Sequence, residues 1–127
     1  MDHVRHMFEH DLFAKHAGIE LISVSPGQAT AKMSLQPWHL NGVNTVQGGA
    51  IFTLADFAFA AAANSRDKVA VAVNVSITFM KAATTGTLTA EAREVALNPK
   101  LGTYTVNVTD EQGSLIAIFQ GLAYRKS

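Results

Sequence analysis

Gly49-Ala-Ile-Phe-Thr-Leu-Ala-Asp-Phe-Ala-Phe-Ala-Ala-Ala-Ala63 is the stretch that decides the fold. Ala, Leu and Phe favour helix, and a run of about fifteen residues exceeds the length of an ordinary strand. The predicted helix is apolar nearly all round, so it belongs in an interior, covered on several sides. Its single charge is Asp56, the only charged residue between His39 and Arg66. A carboxylate in such surroundings costs several kcal/mol of desolvation unless it is paired or used. The run alone leaves both readings open: a packing carboxylate satisfied by a Lys, an Arg or a backbone donor, or a group that does chemistry.

Working outward, residues 2–17 read as a mixed helical segment, and Gly18-Ile-Glu-Leu-Ile-Ser-Val-Ser25 as a first strand closed by the turn pair Pro26-Gly27. Residues 28–35 alternate as a second strand, 36–47 are irregular, and Gly48-Gly49 opens the long helix. Beyond it, Val71, Val73, Val75, Ile77 and Phe79 alternate with Ala72, Asn74, Ser76, Thr78 and Met80, a period-two pattern rich in β-branched residues. Residues 87–97, 103–109 and 114–124 continue it, with turns at Asn98-Pro99 and Asp110-Glu-Gln-Gly113. These last three strands predict an antiparallel meander, and one long buried helix against such a sheet is an α+β architecture. One curved sheet does not cover a helix that is apolar on all sides. A partner subunit is therefore expected to close over the remainder.

The 127 residues suit one domain, 1–127, with a real core. Ten basic residues balance ten acidic ones, which gives no electrostatic footprint for nucleic acid or an acidic membrane surface. The lack of cysteine excludes disulfides, thiolate metal sites and a thiol nucleophile, and fits a reducing compartment. Met1-Asp-His-Val-Arg-His6 has no apolar signal core, and the 49–63 run is shorter than a membrane span. A soluble, cytoplasmic protein is the expectation.

Asn41-Gly-Val-Asn-Thr-Val-Gln-Gly-Gly-Ala-Ile-Phe-Thr-Leu-Ala-Asp56 resembles the signature of the hotdog-fold acyl-CoA thioesterases of the phenylacetic-acid-degradation type. There, Asn-Gly precedes His-Gly-Gly and an Asp follows on the central helix. The likeness extends to Phe13-Ala-Lys-His-Ala-Gly-Ile-Glu20, Val75-Ser-Ile-Thr-Phe-Met-Lys81, Gly86-Thr-Leu-Thr-Ala-Glu-Ala92 and Asp110-Glu-Gln-Gly-Ser-Leu-Ile-Ala117, nearly the whole chain. It implies a central helix wrapped by a curved antiparallel sheet, and cofactor-free hydrolysis of a small or medium acyl-CoA, aryl-acetyl-CoA among them. In the implied roles, Asp56 activates water or attacks the carbonyl, the Gly48 N–H meets the thioester oxygen at the positive helix end, and Asn41 positions thioester or water. Gly49, Phe57, Ser76 and Lys81 are the candidate substrate contacts.

Gly48 and Asp56 are eight residues apart, hence roughly 12 Å apart along one helix axis, and cannot both touch one carbonyl. A productive site then takes Gly48 from one subunit and Asp56 from another, with the two helices side by side and antiparallel. This expectation covers a dimer with shared sites and a dimer of dimers. Gln47 departs from the family pattern, which has His there; an amide can orient an acyl group but cannot shuttle a proton near neutral pH. Ala72 is a second departure, at a position where relatives place a hydroxyl; Ser76 or Thr53 are the candidates to supply one.

Other groups are weaker. His3, His6 and His10 share a helical face but read as solvated, and no metal site is expected. His16 and His39 lack partners at ligand spacing. Phe52, Phe57 and Phe59 read first as core and second as acyl-pocket walls; Lys81, Arg93 and Lys100 are candidate point charges for CoA phosphates. Two alternatives remain beside hydrolysis: a hotdog dehydratase, against which Gln47 counts, and a non-catalytic acyl-CoA binder.

Overall fold

The computed structural model describes residues 1–126. Two short helices lead in, α1 (Asp2–Glu9) and α2 (Leu12–Ala17), followed by strands β1 (Ile19–Ser25) and β2 (Gln28–Ser34). A 3-10 turn at Pro37–His39 and a loop lead to the long helix α3 (Gly48–Ala63). Then come β3 (Ala70–Phe79), β4 (Thr87–Leu97), β5 (Leu101–Thr109) and β6 (Leu115–Arg125). The six strands form one antiparallel sheet in the order β1-β2-β4-β5-β6-β3, so β4, β5 and β6 are the expected meander. The helix α3 carries the chain from β2 to the opposite edge, where β3 pairs only with β6.

Alternation sorts the sheet into two faces. Ala29, Ala31 and Met33 of β2, Leu88 and Ala90 of β4, and Val106 and Phe119 farther along are buried beneath α3. Small residues on β2 and β4 let the helix sit close. The tightest approach is at Gly121, where an added Cβ would fall 2.6 Å from the Phe59 ring, so only glycine fits there. Phe59 also packs edge-on against Tyr104, with centroids 5.6 Å apart.

Two departures from the sequence reading have local causes. Residues 2–17 are two helices, because the Asp11 side chain accepts the Ala14 N–H and caps a new helix, which Gly18 ends at φ +85°. In β3 a bulge between Ala72 and Asn74 shifts the alternation: Val75 and Ile77 face inward opposite Gly121 and Phe119, while Val71 pairs with Tyr124 on the outer face.

Candidate active site

The sequence of α3 dictates which of its sides stays open. Ile51, Leu54, Ala55, Phe57, Ala58, Phe59 and Ala61–Ala63 are buried. Gly49, Thr53, Asp56 and Ala60 fall on one side at about 100° per residue, and none of the four is buried. The helix is thus covered on most sides and bare along one stripe of small residues with Asp56 in it. Burial pushes the Asp56 carboxyl above the ordinary aspartate range, and the nearby Asp11 carboxylate adds to the rise. Among the described residues no ion pair includes Asp56. The packing-carboxylate reading, which requires a satisfying partner, finds none among the described residues.

The other half of the chemistry sits at the start of α3. The loop that delivers it is a small hairpin: Leu40 bridges Val46, and Val46 N–H donates to the Ala83 carbonyl at 2.8 Å. The Asn41 carboxamide organises this loop, since its Oδ1 accepts the Val43 and Thr45 N–H groups and its Nδ2 donates to Thr45 Oγ1 at 2.9 Å. Asn44 takes φ +63° in the turn, a conformation asparagine tolerates. Gln47 is the N-cap residue of α3: its N–H donates to the His39 carbonyl, and its own carbonyl accepts the Ala50 and Ile51 N–H groups. Its side chain makes no capping bond and is exposed, and the Gly48 and Gly49 N–H groups have no acceptor among the described residues. Those are the orphan donors of a helix N-terminus.

A cleft of about 350 Å³ opens beside Gly48, lined by Val46, Ile51, Phe79, Met80 and Lys81. An added Cβ on Gly48 would lie 3.2 Å from the Phe79 ring. Lys81 Nζ stands 3.8 Å from Asp110 Oδ2 and donates to Ser114 Oγ at 3.3 Å, which ties the cleft to the β5–β6 turn. Within one protomer the structure therefore gathers Gln47, Gly48, Gly49 and Lys81, and leaves Asp56 two turns farther along α3.

The remaining candidates lie elsewhere. Ser76 pairs with Gln120 on the outer face, turned away from α3 by the same alternation that directs Val75 and Ile77 inward, so within one protomer it supplies no hydroxyl to Asp56. Thr53 is on the open stripe, but its hydroxyl donates back to the Gly49 carbonyl at 2.8 Å. Phe57 is buried against Phe8 of α1, and Phe52, half-buried, packs on Phe119. Arg93 lies on the outer face opposite Gln28, and Lys100 caps the far end of the sheet over Tyr124. His39 is buried and used at both ring nitrogens: Nδ1 accepts the Gln36 N–H and Nε2 donates to the Ala17 carbonyl. The sequence reading missed Asp11 and Phe79; an Asp immediately before Leu12-Phe-Ala-Lys-His-Ala17 is a helix-start signal that would have marked the first.

Known proteins resemble this chain in sequence and fold. The thioesterase superfamily model matches residues 43–117. A putative esterase of Archaeoglobus fulgidus is 42% identical over 121 residues, 94% of this chain and 79% of that protein. The acyl-coenzyme A thioesterase PaaI of Escherichia coli is 38% identical over 120 residues, 94% of this chain and 86% of that protein. The structure of the E. coli PaaI protein from the phenylacetic acid degradation operon superposes with a TM-score of 0.93 at 36% identity, covering 97% of this chain and 90% of that one. A variant of the phenylacetic acid degradation protein PaaI from Thermus thermophilus superposes at 0.87 and 34% identity, covering 91% of this chain and all of that one. The long helix held in a curved antiparallel sheet is the hotdog fold, and the chain belongs to the thioesterase superfamily.

Proposed function

We propose that the protein is an acyl-CoA thioesterase whose sites are shared between two copies of the chain. The observation that carries this reading is the separation of two uncommitted sets of groups on one helix: Asp56 on the open stripe, and the free N–H groups of Gly48 and Gly49 with the Gln47 amide at its start. Two antiparallel α3 helices, stripe to stripe, would bring one copy's Asp56 to the other's Gly48. Gly49, Thr53 and Ala60 are small enough for such an approach. The β3 edge supports the same pairing, because its backbone is unpaired on one side and Val73 and Phe79 are 56% and 51% exposed.

In the hydrolysis, Asp56 takes a proton from water as the oxygen attacks the thioester carbonyl. The oxyanion forms against the Gly48 N–H, where helix-end donors are already aimed. Collapse breaks the C–S bond, and the CoA thiolate leaves and takes up the proton. Direct attack by the carboxylate, through an anhydride that water then opens, uses the same residues. Gln47 orients the acyl group, Gly49 offers a second N–H, and Lys81 meets a CoA phosphate at the cleft mouth. Asn41 acts through the loop it holds.

A cytoplasmic homotetramer built from two such dimers, each chain one domain over 1–127, completes the reading. No helix among the described residues is long and apolar enough to cross a membrane. The test is a thiol-release assay across small, medium-chain and aryl-acetyl CoA thioesters, with Asp56→Asn alongside. Gln47 favours one competing reading, a binder that does not hydrolyse; tight acyl-CoA binding without thiol release would establish it in place of the esterase.

A further inference from the structure

The first turn of α3 is an unfavourable place for two glycines, since glycine is among the weakest helix formers. The surroundings of the two differ. A Cβ added to Gly49 would meet only Gln47 Cγ, at 3.9 Å, which is ordinary contact. A Cβ added to Gly48 would lie 3.2 Å from Phe79 Cζ and 3.6 Å from both Cε atoms. The Phe79 ring therefore points tip-first at Gly48 and takes the room that a side chain there would need.

The backbone holds the ring in this place. Phe79 is the last residue of β3, opposite Ala117 of β6, and shares the inward face with Val75 and Ile77. Just beyond it, the Met80 and Lys81 N–H groups donate to the Ile116 carbonyl at 2.8 and 3.3 Å, and the Val46 N–H donates to the Ala83 carbonyl at 2.8 Å. The end of β3 and the loop that delivers Gly48 are thus fixed relative to each other, with the cleft of about 350 Å³ between them. Val46 and Ile51 on its walls are buried, whereas the Phe79 ring is 51% exposed and joins no aromatic pair among the described residues.

We propose that Phe79 is a substrate-contacting residue of the hydrolytic site: its ring is the wall that seats the thioester against the Gly48 N–H and keeps water away from it. The inference rests on the reading of the Gly48 N–H as the donor to the oxyanion. A hydrogen bond to a developing negative charge strengthens as water leaves its surroundings. An aromatic wall at contact distance from Gly48 displaces that water without competing for the donor. The same contact explains why residue 48 has no side chain, because a Cβ would push the ring out of the cleft wall.

The test is a double-substitution cycle of Gly48→Ala and Phe79→Ala, with Phe79→Leu as the conservative variant, each assayed over a range of protein concentrations. Two quantities are read: kcat and KM for thiol release from the best acyl-CoA of the panel, and calorimetric affinity for S-phenacyl-CoA, a ketone that keeps the carbonyl but has no thioester bond to break. Phe79→Ala is expected to lower kcat/KM by about tenfold or more and to weaken S-phenacyl-CoA binding, and Phe79→Leu to stay within about threefold of wild type. Gly48→Ala should impair the wild type and add nothing in the Phe79→Ala background, where the new Cβ finds room. Phe79→Ala equal to wild type in both readouts overturns the proposal, and so do effects of the two substitutions that simply add. A Phe79→Ala defect that disappears on raising the protein concentration also overturns it, since the ring then serves only the contact between copies. If no thiol is released while S-phenacyl-CoA affinity follows the expected pattern, the wall stands and the esterase reading is what fails; a wild type that does not bind S-phenacyl-CoA overturns both.

Discussion

The two ends of α3 are built on opposite principles. At the C-terminal end the buried side chains are partnered among the described residues. Asn64 donates to the Ala60 and Ala70 carbonyls and accepts the Ala70 N–H, which sets the turn into β3. Ser65 accepts the Gly27 N–H, Arg66 meets both Glu94 oxygens, and Tyr104 donates to Glu94. Burial first, and Glu94 second, push the Tyr104 hydroxyl up to about 12, so it remains a donor at any physiological pH. At the N-terminal end and along the open stripe, the Gly48 and Gly49 N–H groups, the Gln47 amide and the Asp56 carboxylate have no partner among the described residues. One end anchors the helix; the other keeps its donors and acceptor available. Substitutions at the two ends should therefore separate stability from turnover.

The largest effect is expected at Asp56. Asp56→Asn should fold, bind acyl-CoA and lose turnover by a factor on the order of 10² or more in the thiol-release assay, since an amide neither takes the proton nor attacks. The sign on stability is opposite. Because the folded carboxyl lies above its ordinary value of 3.8, ionising Asp56 costs stability; that cost is absent below the unfolded value and complete above the folded one. Wild type should thus lose stability as pH rises through that window, and Asp56→Asn should not, as denaturant midpoints measured across pH would record.

At the anchored end, Asn64→Ala removes three hydrogen bonds and leaves the Ala70 N–H buried without an acceptor. A loss of about 2–3 kcal/mol in chemical denaturation is expected, with kcat of the folded protein unchanged. Gln47→Ala should do the reverse, costing about 1–2 kcal/mol of transition-state stabilisation with no change in the denaturation midpoint. Gln47→His tests the same position: it should retain activity and add an ionisation near neutral pH to the rate profile if the side chain touches the reacting centre. Arg66→Ala is the mildest, within about 1 kcal/mol, because the guanidinium is one-third exposed. A turnover defect from Asn64→Ala, or a stability defect from Gln47→Ala, would erase the contrast between the ends.

Much of this was legible in the chain. The run 49–63 announced the buried helix through composition and length, the alternation of β4 to β6 announced the meander, and Asp56 stood out by its isolation. What the sequence hid was orientation. The bulge at Ala72–Asn74 is invisible to a period-two pattern, which set Val71 on one face with Val75 and Ile77 although it lies on the outer face opposite Tyr124. Ser76 was a candidate hydroxyl only through the family resemblance, and the alternation of β3 turns it to the outer face opposite Gln120. The open stripe was concealed for a different reason: Gly49, Thr53 and Ala60 are as compatible with burial as the alanines around them.

The unpaired β3 edge has a consequence for the chain before it finds a second copy. A newly made protomer presents a run of free backbone donors and acceptors flanked by Val73, Phe79 and Met80, which is a template for any extended segment it meets. Folding and assembly are then in competition with strand addition, and mass action decides between them. Dilution should lower melting temperature and specific activity together, and the bulge at Ala72–Asn74 would act as a register stop that lets the correct neighbour close while a sliding one does not.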